Sequence, residues 1–402
     1  MIARRGDFRA MRSTFLAFAL VTLAACTTTA VQAPQPHRSA VAVVFDRTSV
    51  TPVIVEGLAD REEGRPVEAN DPVRSASISK LVMALATMRL ADEGKVDLDE
   101  DISTYLDWPV RHPDYPEAKV TLAQLLMHRS GLRDDAGYVI PLGESLQAKL
   151  AEPEAWYRDA PPGQAPFEYA NLGSPLVATV LEAASGERFD RLVERTVFAP
   201  LGIEACLNWI GCSQDFADRA VVLYRNTGEV ARDSTDDRPP ECTIPVAEIM
   251  DCALADYVPG TNASIFSPQG GVRIGMIDLA RLGQAMLRED NRLLSADGFR
   301  QLKRRYPPIG GSAPNFCFYG TGVHTLYPAL DGCADDLFSD GVRRYGHAGE
   351  AYGLRSGIWI AEDESEGIAY FVTAVPDRTS PDEGGFAPEE IALVRRAMQA
   401  GE

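Results

Sequence analysis

The stretch from Ile78 to Glu93, "ISKLVMALATMRLADE", constrains this chain more than any other. It is apolar almost all round a helical turn. A helix without a polar stripe cannot lie on a surface and must be enclosed by other elements. Gly94 follows in the position of a left-handed C-cap. The chain must therefore supply layers around one central helix, and 402 residues suffice for two domains or one large domain with an insertion. One polar group stands out inside the run. Only five of the 39 basic residues are lysines: Lys80, Lys95, Lys119, Lys149 and Lys303. Arginine cannot release its proton, so a lysine kept inside an apolar helix is a candidate base.

The helix opens on "SASISK", residues 75–80. Residues three apart share a helix face, and only Ser77 stands three before Lys80. Ser79 points elsewhere, and Ser75 suits the cap or the preceding turn. A helix N-terminus carries partial positive charge and free N–H groups, which stabilise a developing oxyanion. Desolvation lowers the pKa of a buried amine. Ser77 is thus the candidate nucleophile and Lys80 its base. Alone, this spacing is a weak signal that a capped helix also explains.

Around this helix the pattern predicts a mostly antiparallel sheet made from both chain ends. "SAVAVVFD" and "TPVIVEGLA" read as an early hairpin, and "TGVHTLY", "GLRSGIWIAE" and "GIAYFVTAVP" as late strands. Helices are expected in "VTLAQLLMHRSGL", "LGSPLVATVLEAASG", "RFDRLVERTVFAPLG", "MIDLARLGQAML", "SADGFRQLKRR" and "PEEIALVRRAMQA". The expected class is α/β in the α+β sense: a sheet subdomain from residues 40–105 and 270–402, with a mainly helical region, 106–269, inserted.

Residues 1–25 read as an export signal, with arginines before the apolar "FLAFALVTLAA". The run ends in "LAAC", which resembles a bacterial lipobox, so Cys26 is the expected lipidation site and residues 26–39 a tether. An exported, membrane-anchored lipoprotein is expected, facing the periplasm in a Gram-negative cell, with the outer membrane favoured by Thr27. The remaining cysteines are Cys206, Cys212, Cys242, Cys252, Cys317 and Cys333. Their even number predicts disulfides, and their spacing favours 206–212, 242–252 and 317–333 among about fifteen pairings. Residues 204–265 read as an excursion pinned by these bonds. No cysteine or histidine cluster has metal-ligand spacing, and no cofactor is implied. A formal net charge of −19 argues against a nucleic-acid partner.

Two further stretches give the pair company. "PPGQAPFEYANLGSPL" contains Tyr169-Ala-Asn171, and "YGHAGEAYG" contains His347-Ala-Gly349. SxxK, YxN and HxG in this order resemble the penicillin-recognising serine hydrolases: class C β-lactamases, D-alanyl-D-alanine carboxypeptidases, D-aminopeptidases and esterases. "MRLADEGKVDLDEDISTYL", "LLMHRSGL", "FAPLGI" and "SPQGGVRIGMIDLARLGQAML" are similar to the same family, so the likeness runs over roughly residues 40–400. It implies the β-lactamase/DD-peptidase fold and an acyl-enzyme at Ser77. Lys80 would activate the serine, and Tyr169 would be a second proton carrier, able to act as a phenolate. Asn171 would hold the substrate carbonyl and Lys80. His347 would stand where the family places a cation, and Gly349 would leave its strand bare for substrate. The backbone N–H groups of Ser77 and Glu350 would form the oxyanion hole. The substrate would be a small molecule or short peptide. Histidine in place of lysine in the third motif removes a permanent charge and points away from efficient β-lactam hydrolysis, toward an ester or peptide. Glu168 and Glu350 would add negative potential if they face the cleft. His128 and His324 are expected to be structural.

Overall fold

The computed structural model describes residues 38–235, 244–247, 252–304, 317–327, 335–376 and 385–401. The signal segment, Cys26, nearly all of the tether, Cys242 and Cys333 lie outside the described residues. A seven-stranded antiparallel sheet organises the fold. Its order is Phe318–Tyr319, His324–Leu326, Arg344–Ala351, Leu354–Ala361, Gly367–Val372, Ala40–Phe45 and Val50–Glu56. The two chain ends meet where Ala40 pairs with Val372 and Phe45 with Gly367.

Alternation along the strands assigns the two faces. Val41, Val43, Phe45, Ile358 and Phe371 join the core that contains the Ile78–Asp92 and Met276–Leu287 helices. Ala40, Ala42, Trp359, Ile368 and Tyr370 pack with Leu393, Val394 and Ala397 of the Pro388–Gly401 helix. The sheet is therefore covered on both sides, and Leu354–Ala361 is buried at every position. The Ile78–Asp92 helix is buried from Ile78 through Met88, as its all-round apolar sequence requires. Gly94 follows its C-cap with φ +67°, a conformation that costs glycine little.

A second, three-stranded sheet, Val73–Arg74, Val272–Ile274 and Ala205–Leu207, sits at the entrance to this helix. Ser75 N donates to Val272 O at 2.9 Å, and Ser79 Oγ accepts from Val272 N at 3.0 Å. Ser75 and Ser79 thus tether the helix start, leaving Ser77 between them.

Three expectations are corrected. The helix in "VTLAQLLMHRSGL" spans only Leu122–Leu126, opened by a Thr121/Gln124 capping box, and the chain turns at His128, whose φ is +56°. "RFDRLVERTVFAPLG" is not one α-helix: Phe189–Val193 passes into a π-turn, Glu194–Phe198, and a 3-10 turn, Ala199–Leu201. The cysteine-rich section is also no mere excursion, because Ala205–Leu207 is a strand against Val272–Ile274 and Ala263–Phe266 is fully buried. The Cys206–Cys212 disulfide is present. Cys252 and Cys317 are also disulfide-bonded, while Cys242 and Cys333, their expected partners, lie outside the described residues.

Candidate active site

Ser77 occupies the N-cap of the central helix and is partly open to solvent. The residue before it, Ala76, has φ +50°, a left-handed conformation that is strained for a side chain with a Cβ. The tethers of Ser75 and Ser79 impose this turn. Gly349 completes it from the sheet: a Cβ there would lie 2.4 Å from Ser75 O and 2.2 Å from Ser356 Oγ. The bareness of Gly349 thus serves a contact inside the protein, where the sequence had implied room for substrate.

Lys80 is 2% exposed. Its Nζ lies 2.8 Å from Asn171 Oδ1, 3.2 Å from Ser77 Oγ and 3.2 Å from Gln269 O. These three partners fit either charge state. An ammonium donates to all three, whereas a neutral amine donates to the two carbonyls and turns its lone pair to the serine hydroxyl. Burial brings the pKa of Lys80 down to about 7, against the opposing pull of the Asp134 carboxylate.

Tyr169 shares a side-chain hydrogen bond with Ser77, and Lys80 Nζ sits 4.7 Å from its ring centroid. The resemblance implies a tyrosine able to act as a phenolate. Burial, with a further contribution from Asp134, pushes the hydroxyl above its usual range despite the Ser77 bond, so the resting side chain is a phenol. Asn171 opens the Gly173–Ser185 helix and is gripped by Asp134. Asp134 Oδ1 accepts from Asn171 N at 2.7 Å and Leu172 N at 2.9 Å, while Oδ2 accepts from Asn171 Nδ2 at 2.8 Å.

His347 stands beside this group, its ring centroid 6.3 Å from that of Tyr169. It is fully buried on the Arg344–Ala351 strand and offers no cation to a substrate. Its Nδ1 lies 2.6 Å from Ala348 O, which can only accept, so Nδ1 carries the proton. Nε2 then accepts from Tyr319 Oη at 2.8 Å. Burial and nearby Lys80 push its pKa down to about 3. Glu350 pairs with Arg355 across the strands, and Glu168 lies 3.8 Å from Arg133, so both flanking carboxylates have a cationic partner.

His128 supports the site, and Tyr319, Gln269 and Asp134 escaped the sequence reading. His128 Nδ1 accepts from Ala170 N at 3.2 Å and its ring lies 4.5 Å from that of Tyr169, which braces the YxN turn. Tyr319 fixes His347, and Gln269 acts through its main-chain carbonyl, which no side chain announces. Asp134 follows "HRSGLR" with no spacing that ties it to Asn171, so only the fold joins them.

A serine and a buried lysine one helical turn apart, beside an antiparallel sheet covered by helices, define the serine-hydrolase class of the penicillin-recognising fold. The Beta-lactamase family model matches residues 28–390, and the chain belongs to that family. The chain is 32% identical over 181 residues to Esterase EstB of Burkholderia gladioli, a match covering 42% of this chain and 46% of the esterase. It is 24% identical over 306 residues to Penicillin-binding protein 4 of Amycolatopsis lactamdurans, covering 75% of this chain and 71% of that protein. The D-amino acid amidase of Ochrobactrum anthropi SV3 superposes with a TM-score of 0.62 at 18% identity, over 90% of this chain and 93% of the amidase. That last likeness concerns the fold.

Proposed function

We propose that this protein is a serine hydrolase that forms an acyl-enzyme at Ser77 and acts on an ester or on a small amide or peptide, including cell-wall types built on D-amino acids. The observation that carries this reading is the contact of Lys80 Nζ with Ser77 Oγ at a lysine whose pKa stands at about 7. Neutral Lys80 takes the Ser77 proton as Oγ attacks the substrate carbonyl carbon. The N–H groups of Ser77 and Glu350 stabilise the oxyanion, helped by the positive end of the helix. Tyr169 donates its proton to the departing alcohol or amine and recovers one from the Lys80 ammonium. Water then releases the acyl group by the reverse sequence.

His347 is neutral and buried, so it does not supply the anchor that a carboxylate-bearing β-lactam would use. This favours esters and amides over β-lactams, in keeping with the likeness to an esterase. A fluorophosphonate probe should add its mass to the peptide containing Ser77, and Ser77→Ala should abolish the labelling. Labelling that survives in Ser77→Ala would overturn the assignment. A panel of a short-chain aryl ester, a D-amino-acid amide, a D-alanyl-D-alanine peptide and a cephalosporin should give its fastest turnover with one of the first three. Rapid cephalosporin turnover would instead identify a β-lactamase.

Export and anchoring through a lipid on Cys26 complete the proposal. Among the described residues no helix is long and apolar enough to cross a membrane. Incorporation of a labelled fatty acid that is lost in Cys26→Ala tests the anchor.

A further inference from the structure

Asn171 touches Lys80 through an amide, and an amide has two ends that differ in chemistry but hardly in shape. With Oδ1 toward Lys80 it accepts a hydrogen bond. Rotated by half a turn, it would present a donor to a donor. Nothing in Asn171 itself selects the productive orientation. A carboxylate on its far side does, because an ionised carboxylate only accepts.

Asp134 stands in that position. It lies on a segment pinned to the main body by Arg133 N donating to Ala155 O at 2.9 Å and by the bridge between Leu132 and Trp156. Its Oδ1 takes the main-chain N–H groups of Asn171 and Leu172, and its Oδ2 takes Asn171 Nδ2. The first pair fixes where the Asn171 backbone lies, and the third bond fixes which way its amide faces.

We propose that Asp134 is a positioning residue of this site: by gripping the main chain and the Nδ2 of Asn171, it holds Oδ1 against Lys80 and keeps the amine placed as the base of Ser77. This inference rests on the reading of Ser77 as nucleophile and Lys80 as its base. Asp134 has a second, electrostatic effect. Five groups shape the surroundings of Lys80: Tyr169 beside it, His128 and His347 at its flanks, Tyr319 bonded to His347, and Asp134. The tyrosines are phenols, and burial holds His128 and His347 neutral. Asp134 is the carboxylate among them, and it opposes the desolvation that lowers the Lys80 pKa.

The test is the pH dependence of the rate at which a fluorophosphonate labels Ser77. Asp134→Asn keeps the shape. Its amide oxygen can still accept from the two main-chain N–H groups, but its amide nitrogen meets Asn171 Nδ2. Labelling should slow about 10- to 100-fold, and the acid limb of the profile should move to lower pH by about one unit, because a negative charge is removed. The exchange Asp134→Asn with Asn171→Asp restores donor-to-acceptor pairing and brings the charge next to Lys80. It should recover part of the rate and move the limb above the wild-type position. A merely structural role would lower the amplitude and leave the limb in place, and that result in either variant would overturn the proposal. If Asp134→Asn alone does not fold, the exchange decides in the same way. If wild type is not labelled at Ser77, the acyl-enzyme reading itself falls and this inference falls with it. Wild-type labelling with an unmoved limb in the variants removes the inference alone.

Discussion

Two buried cations lie on either side of the junction between the central helix and the small sheet, and the protein treats them oppositely. Lys80 is on the helix and Arg273 is on the Val272–Ile274 strand, one residue along from the Val272 that bonds Ser79. Arg273 is 1% exposed and meets Asp233 directly, with Nη2 2.7 Å from Oδ1. Trp209 donates Nε1 to the same oxygen at 3.1 Å, and its ring lies 4.9 Å from the guanidinium carbon. Burial, with nearby Arg74, lowers the Arg273 pKa to about 10 against the pull of Asp233, so the guanidinium remains charged at neutral pH. Lys80 has neutral acceptors around its Nζ, and the nearest influential carboxylate acts through Asn171. Its pKa falls to about 7. A directly paired buried charge is structural. A buried charge whose counter-ion is held one residue away is left free to give up its proton.

The sharpest way to break this contrast is to exchange the chemistry of the lysine. Lys80→Arg keeps a cation but removes the base, and kcat/KM should fall about 10⁴-fold, the upper end for a lost general base. Steady-state kinetics on the best substrate of the panel checks this, and retention of more than a few per cent of activity would remove Lys80 from the role of base. Next comes the structural pair. Asp233→Ala strands Arg273 without its partner and should cost about 3–5 kcal/mol in chemical denaturation, while the molecules that remain folded keep their labelling at Ser77. Cys206→Ser with Cys212→Ser opens a short loop beside Arg273 and should cost about 2 kcal/mol. The smallest effect has the opposite sign. Lys80→Met removes a desolvated amine from an apolar helix and should raise stability by about 1 kcal/mol while abolishing activity.

The pH profile follows from the same contrast. Lys80 must be neutral to accept the Ser77 proton, so activity should be present above a pH near 7 and lost as pH falls through it. Its folded pKa is depressed below 10.5, so protonation disfavours the folded state. Stability linked to this group should therefore decline as pH drops from about 10 to about 7 and change little below. Lys80→Met should lack that decline in thermal unfolding.

Much of this was legible in the sequence because local pattern and fold agree there. The apolar helix, the early hairpin and the strands at 354–361 and 367–372 follow from their periodicity. The three-residue spacing selected Ser77 over Ser75 and Ser79, and the structure brings Ser77, Lys80, Tyr169 and Asn171 into one cluster. The strand that carries the third motif, Arg344–Ala351, was implied by the family resemblance and not by its own pattern. Its "RYGHAGEA" has two glycines and no clean alternation, and neighbouring strands impose its extension. The environment of His347 was hidden for the same reason, since its burial depends on Tyr319 from a distant strand. Asp134 was invisible because its partner lies 37 residues away and is joined to it only by the turn of the chain.

The scarcity of lysine makes the central claim open to direct measurement. Protein carrying ¹³C-labelled lysine contains five side chains that can report, and a Lys80 variant identifies which signal is Lys80. In titration by NMR, one signal should change with a midpoint near 7 and disappear in Lys80→Met. A Lys80 signal that does not change near pH 7 and titrates only in the range of a free lysine, about 10, would contradict the assignment of Lys80 as the base of Ser77.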